Sequence, residues 1–95
     1  MSKGITVGIK FLPAVQENEV HSAVDRAIEI IDSWGLKYEV GPCNTTVEGD
    51  LQDILNKVGS MCKKIEKSVG RFAVFLDIDY CRDGISIDNK IEKYR

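Results

Sequence analysis

The chain has 95 residues, 43% of them hydrophobic and 29% charged, and its formal net charge at pH 7 is -2. A chain of this length forms one domain with one modest core, so residues 1–95 are predicted to be a single domain. The mild negative charge argues against a nucleic-acid-binding protein, which usually carries a clustered basic face. Lysines that recur in the second predicted helix are interpreted as a solvated helix face (Lys57, Lys63, Lys64 and Lys67).

No long apolar run follows the first residues, Met1-Ser2-Lys3-Gly4. The sequence therefore predicts neither a signal peptide nor a transmembrane helix, and a cytoplasmic location is the expectation. A domain this small buries only about 60–65% of its unfolded surface. Self-association, which buries more surface, is therefore also expected.

Hydrophobic periodicity predicts the first strand and the first helix. The strand covers residues 5–12 and ends at Pro13. Asn18 is the predicted N-cap of a helix whose apolar residues recur at helical spacing as far as Trp34. Gly35 then follows as a C-cap signal.

The second half of the pattern begins with two short strands, at residues 36–40 and 44–49, joined by a Gly-Pro turn. Asp50 is the predicted N-cap of the second helix, because its carboxylate can accept from a free backbone N–H in the first turn. Gly70 ends that segment. Residues 71–79 form the longest and most apolar predicted strand.

The element order is β-α-β-β-α-β, and residues 86–95 add a short closing helix capped at Ser86 or Asp88. This order predicts a ferredoxin-like α+β fold, with a four-stranded antiparallel sheet and both longer helices on one face. Right-handed crossovers place the first and third strands at the centre. Strand alternation then assigns these residues to the helix-facing side: Ile5, Val7, Ile9, Phe11, Tyr38, Val40, Thr45, Val47, Phe72, Val74, Leu76 and Ile78. The opposite face, for which no covering helix is predicted, carries Thr6, Gly8, Lys10, Lys37, Glu39, Asn44, Thr46, Glu48, Ala73, Phe75, Asp77 and Asp79.

Side chains that carry catalytic or metal-binding chemistry are sparse. His21 is the single histidine, and the three cysteines, Cys43, Cys62 and Cys81, lack a short paired spacing. Neither a metal site nor a disulfide framework is predicted, and Cys62 is interpreted as an apolar filler on a helix. Because no phosphate-binding or nucleophile motif is present, we predict no catalytic residues, no cofactor and no enzymatic activity.

The loop after the first strand distinguishes this chain from two other protein classes that share the predicted fold. Acylphosphatase-like enzymes need an arginine-bearing phosphate loop there, and metallochaperones need a C-x-x-C motif there. Residues 12–17 read Leu-Pro-Ala-Val-Gln-Glu and contain neither. A small ligand-binding domain is the class left open.

The carboxylates on the predicted open face allow two interpretations. Glu48, Asp77 and Asp79 form either a solvated edge, in which Lys10 pairs with Asp77, or a site for a cationic or amidine-like ligand. A carboxylate can pair with an aminopyrimidine through two parallel hydrogen bonds. Asn44 and the neighbouring threonines would add neutral donors and acceptors. Four aromatic side chains are candidates for stacking on a planar ring or for the core: Phe11, Trp34, Tyr38 and Phe75.

The central segment resembles a known family. It reads Tyr38-Glu39-Val40-Gly41-Pro42, then Thr45, then Val47-Glu48-Gly49-Asp50-Leu51. This closely resembles the Y-E-V-G-P-x-x-T-x-x-E-G-D signature of the small thiamine-binding proteins with a ferredoxin-like fold. Pro13 and the closing residues 86–94 also fit that family, so the likeness covers nearly the whole chain.

The resemblance implies non-catalytic binding of thiamine, or of its hydroxymethylpyrimidine part, by a carrier, buffer or sensor. It also implies homodimers that pair into homotetramers through their sheets. By position, Thr45 and Glu48 match the motif, and Asn44, Phe11 and Asp79 complete the predicted ligand-binding set. One alternative is a structural or regulatory homo-oligomer that binds a different small molecule. An enzyme that acts on a thiamine-related metabolite is another, although no acid–base pair supports it.

Overall fold

The computed structural model describes residues 4–95 and has the predicted order of elements. The strands are β1 (Ile5–Pro13), β2 (Lys37–Val40), β3 (Thr45–Gly49) and β4 (Phe72–Asp79). The helices are α1 (Val20–Asp32), α2 (Leu51–Ile65) and α3 (Ile87–Ile91), and 3-10 turns at Glu17–Glu19 and Glu92–Tyr94 flank α1 and α3.

The four strands form one antiparallel sheet in the order β2-β3-β1-β4, with β1 and β3 at its centre as predicted. In the register of the central pair, Thr45 lies opposite Ile9 and Glu48 lies opposite Thr6. β4 extends past the end of β3 and pairs with β1 from Thr6 to Pro13. The sheet is therefore two strands wide at the Pro13 end, and the β2–β3 turn lies beside this narrowing.

Local sequence signals account for some of the helix ends, but α2 ends at Ile65, before the predicted Gly70. The Asp50 side chain accepts a hydrogen bond from the Asp53 N–H at 3.1 Å, which confirms the predicted N-cap of α2. Gly35 has a φ of 73°, a left-handed conformation that glycine adopts without steric cost. The prediction of Asn18 as the N-cap of α1 was wrong, because the 3-10 turn takes up that residue and α1 begins only at Val20.

The core lies between the sheet and the two longer helices. Val7 and Val47 at the centre of the sheet, and Ile54 and Met61 on α2, are fully buried. Two residues assigned to the helix-facing side are exposed instead: Val40 is 51% exposed and Ile78 is 46% exposed. Both lie on the edge strands, near strand ends, where the two helices do not extend over the sheet.

The expectation that no helix covers the opposite face was wrong. We call this surface, which carries the even-numbered residues of β1, the open face. The segment from Ser86 to the end of α3 lies across it at the Glu48 end, where Ile87 is 3% exposed and Thr6 only 1% exposed. The Lys90 Nζ donates to Thr6 Oγ1. The half that carries Leu12, Ala73 and Phe75 stays exposed.

Within residues 4–95, none of the helices has the length and apolarity needed to cross a bilayer. No group of three or more histidine, cysteine, aspartate or glutamate side chains there is arranged to hold a metal ion. His21 is exposed on α1. Burial raises the pKa of the Cys62 thiol, which suits its predicted packing role.

Candidate ligand-binding cavity at the turn between β2 and β3

A tight turn links β2 to β3. The Gly41 N–H donates to the Asn44 carbonyl oxygen at 2.8 Å, which closes the turn over Pro42 and Cys43. The ideal Cβ of a residue at position 41 would lie 3.1 Å from the Asn44 carbonyl oxygen, so glycine allows this close approach. The turn therefore holds the backbone of Asn44 and Thr45 in a fixed position beside β1.

Behind this turn lies a cavity of about 210 Å³ between the sheet and α1. We call it the turn cavity. Its lining residues are Ile9, Phe11, Val24, Ala27, Ile28, Ile31, Val40, Gly41, Pro42, Cys43, Asn44, Thr45 and Met61. None of these side chains carries a carboxylate, an imidazole, an ammonium or a guanidinium group. Because pockets for drug-sized ligands usually measure about 300–1,000 Å³, this one suits a single ring system, and it favours a neutral one.

Two polar side chains interrupt the apolar lining. Thr45 is 6% exposed, and its hydroxyl makes no hydrogen bond to any of residues 4–95. The Asn44 side-chain amide likewise has no hydrogen-bond partner among them. The Thr45 hydroxyl and the Asn44 amide, which is both donor and acceptor, are therefore available to a ligand. Unoccupied polar groups in an apolar wall are typical of sites that orient small molecules.

Phe11 adds an aromatic wall to the turn cavity. Its ring centroid lies 5.4 Å from that of Phe72 with a 52° tilt, so an aromatic neighbour supports the ring. The other three stacking candidates do not line the turn cavity: Trp34 and Tyr38 pack against the core, and Phe75 is exposed on the open face. The Tyr38 hydroxyl donates to Asp32, and this hydrogen bond raises the pKa of the tyrosine.

Glu48 lies away from the turn cavity, on the open face. Its Oε1 accepts a hydrogen bond from the Ile87 N–H at 2.7 Å. Ile87 is the first residue of α3, whose free N–H groups favour a negative partner. In this structure the carboxylate therefore joins β3 to the closing helix, and a ligand role for Glu48 stays a prediction.

Asp79 also contacts α3 and does not line the turn cavity. Its Oδ2 accepts from the Lys90 Nζ at 2.6 Å. The structure thus brings together Phe11, Asn44 and Thr45 of the predicted set, and leaves Glu48 and Asp79 outside the turn cavity. The sequence interpretation did not identify the walls from α1, Val24 and Ile28, although their helical spacing placed them on its apolar face.

Ion pairs hold the remaining part of the closing segment. Asp88 contacts Lys37 of β2 and the guanidinium of Arg95, which also contacts Glu39 at 2.8 Å. The hydrogen bonds from Lys37 and then Arg95 lower the pKa of Asp88, and the hydrogen bond to Asp88 raises the pKa of Lys37. These pairs are exposed to solvent, so they add orientation to the segment more than stability.

The strand order, the antiparallel register and the two longer helices on one face define a ferredoxin-like α+β domain, with a small uncharged cavity at its β2–β3 turn. The model of a protein family described as thiamine-binding protein matches residues 7–95. The chain belongs to this thiamine-binding protein family, which confirms the resemblance found in the central motif.

Individual relatives agree with this assignment. A UPF0045 protein of Clostridium perfringens is 41% identical over 92 residues, which cover 94% of this chain and 95% of that protein. A Thermotoga maritima structure, provisionally described as a thiamine biosynthesis or salvage protein, has a TM-score of 0.95 and 50% identity, covering 97% of this chain and 99% of that one. The structure of a Bacillus cereus domain of unknown function has a TM-score of 0.89 and 33% identity, covering 100% of this chain and 93% of that one.

Proposed function

We propose that this protein binds thiamine, or its hydroxymethylpyrimidine part, without catalysing a reaction on it, and serves as a carrier, buffer or sensor. Membership of the thiamine-binding family supports a thiamine-related ligand. The observation that carries the proposal is the pair of unoccupied polar groups, Asn44 and Thr45, in an otherwise apolar cavity of single-ring size.

The chemistry of the turn cavity matches an aminopyrimidine. The Asn44 amide reaches toward Gly8, at the boundary between the turn cavity and the open face. It presents a donor and an acceptor side by side, as an aminopyrimidine does, so a ring at that boundary can form paired hydrogen bonds with it. The Thr45 hydroxyl supplies a further donor or acceptor, and Phe11 offers a ring surface for stacking. The lining carries no carboxylate and no imidazole, and the Cys43 thiol is its one ionisable side chain, so the paired acid and base of many hydrolytic sites are not found in it.

Calorimetric titration with hydroxymethylpyrimidine tests the proposal through Thr45. We expect wild type to bind near one ligand per chain, Thr45→Ser to bind similarly, and Thr45→Val to bind about tenfold more weakly, because valine keeps the shape and loses the hydroxyl. No heat from folded, ligand-free wild type, or equal affinities for the serine and valine variants, would contradict the proposed site.

We also propose self-association through the exposed half of the open face, as dimers that pair into tetramers. Phe75 is 53% exposed and Leu12 46% exposed, and Ala73 lies opposite Leu12 on the same face. Phe75→Glu is expected to reduce the molar mass measured by light scattering. A wild-type protein that is monomeric at tens of micromolar would contradict the proposal.

Other parts of the interpretation stay predictions. They include the cytoplasmic location, the absence of a resident cofactor and the ligand roles of Glu48 and Asp79. The alternative function, a structural or regulatory homo-oligomer for a different small molecule, gains no specific support from the turn cavity, whose polar groups suit a heteroaromatic ring.

A further inference from the structure

A second depression lies on the open face, and Asn44 lines both this depression and the turn cavity. Its volume is about 370 Å³, and Gly8 and Asp77 are among its lining residues. Asn44 precedes β3 at the place where the sheet narrows to two strands. A ligand that occupies both the turn cavity and this depression would therefore pass beside Asn44.

The floor of this depression depends on a glycine. The ideal Cβ of a residue at position 8 would lie 2.9 Å from the Asn44 Nδ2 and 3.5 Å from the Asp77 Cβ. Contacts below 3.0 Å force a neighbour to move, so the missing side chain of Gly8 leaves the space into which the Asn44 amide reaches. We call the group of Gly8, Asn44 and Asp77 the Gly8 notch.

The charge of this notch comes from Asp77. Its side chain is exposed, and among residues 4–95 no hydrogen bond or ion pair occupies its carboxylate. Asp79 and Lys90 also line the depression, and their ion pair at 2.6 Å adds no net charge to it. Lys10, which one of the two interpretations of the sequence paired with Asp77, lies opposite Phe75 in the register. It forms no ion pair with Asp77 among residues 4–95. A carboxylate is therefore available to an incoming cation.

We propose that Asp77 is a specificity-determining residue, and that the Gly8 notch receives the cationic end of the ligand and disfavours phosphorylated forms of it. The inference rests on the proposed function and assigns a second subsite to it. An uncharged cavity accepts the neutral pyrimidine ring, since moving a cation into an apolar site is costly. The thiazolium cation then stays in a partly solvated place, beside an oppositely charged group.

The same charge has the opposite effect on a phosphate. A phosphoryl group on the cationic arm brings like charges together near Asp77, and like charges repel. Wild type is therefore expected to bind thiamine more tightly than hydroxymethylpyrimidine and more tightly than thiamine monophosphate. The preference over hydroxymethylpyrimidine and the preference over thiamine monophosphate both depend on the Asp77 side chain, although the pyrimidine site lies on the other side of Asn44.

The test is calorimetric titration of three proteins with hydroxymethylpyrimidine, thiamine and thiamine monophosphate at low salt. The proteins are wild type, Asp77→Asn and, as a matched control, Glu66→Gln, which removes an exposed carboxylate after α2. We expect Asp77→Asn to weaken thiamine binding roughly three- to tenfold, because the partly exposed charge pair is of moderate strength. Its affinity for hydroxymethylpyrimidine stays within about twofold, and its discrimination against the monophosphate becomes smaller.

Several results would overturn the assignment of Asp77. These are unchanged thiamine affinity in Asp77→Asn, an equal loss of thiamine and hydroxymethylpyrimidine binding, and the same loss in Glu66→Gln. Failure of wild type to bind hydroxymethylpyrimidine would refute the proposed function itself, and the subsite would fall with it. Normal hydroxymethylpyrimidine binding with no effect of Asp77→Asn would refute the subsite alone.

Discussion

Glu48→Ala separates the role that the structure gives this residue from the role suggested by the sequence motif. The Glu48 Oε1 accepts from the Ile87 N–H at 2.7 Å, at the start of α3. Hydrogen bonds to a charged group contribute about 1.5–3 kcal/mol, and partial exposure lowers that figure, so we expect a loss of about 1–2 kcal/mol. Ile87 is the one buried residue of α3. We therefore expect the lost stability to make residues 86–95 open locally, while the rest of the domain stays folded.

Hydrogen exchange measured by mass spectrometry reports this opening directly. A loss of about 1–2 kcal/mol corresponds to roughly five- to thirtyfold faster exchange in residues 86–95 of Glu48→Ala. Glu48→Gln retains a carbonyl acceptor and is expected to show a smaller increase. Unchanged exchange in the alanine variant, together with lost hydroxymethylpyrimidine binding, would refute this reasoning. It would indicate that Glu48 binds the ligand.

Three further predictions concern the glycine contact, the ion pairs and the core. Gly8→Ala places a Cβ 2.9 Å from the end of the Asn44 side chain, which can rotate away. We expect less than about 1 kcal/mol of destabilisation in urea unfolding, but several-fold weaker binding of hydroxymethylpyrimidine. An unchanged affinity for hydroxymethylpyrimidine would contradict this prediction. The pKa of Asp88 is lowered in the folded state, so its stabilising contribution is present above the unfolded pKa of about 3.9 and is lost as the pH falls through the lower folded value. Protection of α3 from exchange should therefore not vary between about pH 5 and 7 and should fall in stronger acid, whereas in Asp88→Asn the acid-dependent loss should be smaller. Ile54→Ala removes a fully buried side chain and should cost about 2–5 kcal/mol in urea unfolding; a cost below about 1 kcal/mol would contradict the described core.

Most of the fold follows from local signals. The Asp50 cap, Gly35 and the alternating strands each act over a few residues, and the structure has all of them. The position of α3 depends instead on contacts across long stretches of chain, such as Glu48 with Ile87 and Thr6 with Lys90. A five-residue helix has too short a pattern to show which surface it covers. That is why the open face was expected to lack a covering helix.

The composition of the site was predictable in part. Residues three apart in a strand point to opposite faces, so alternation alone separates Thr45 from Glu48, although both match the motif. Thr45 lies opposite Ile9 on the helix-facing side, where Phe11 follows on the same strand face. Asn44 lies just before β3, and only the three-dimensional turn shows that it contacts both sides of the sheet.

The most direct test of the turn cavity is a chemical-shift map of isotope-labelled protein titrated with hydroxymethylpyrimidine. We expect the largest shifts at Gly41, Asn44 and Thr45, and at the Phe11 ring, with smaller ones on the face of α1 that lines the cavity. Saturable shifts at these positions would support the proposed site. Shifts confined to Glu48 and α3, with the turn between β2 and β3 unaffected, would contradict it.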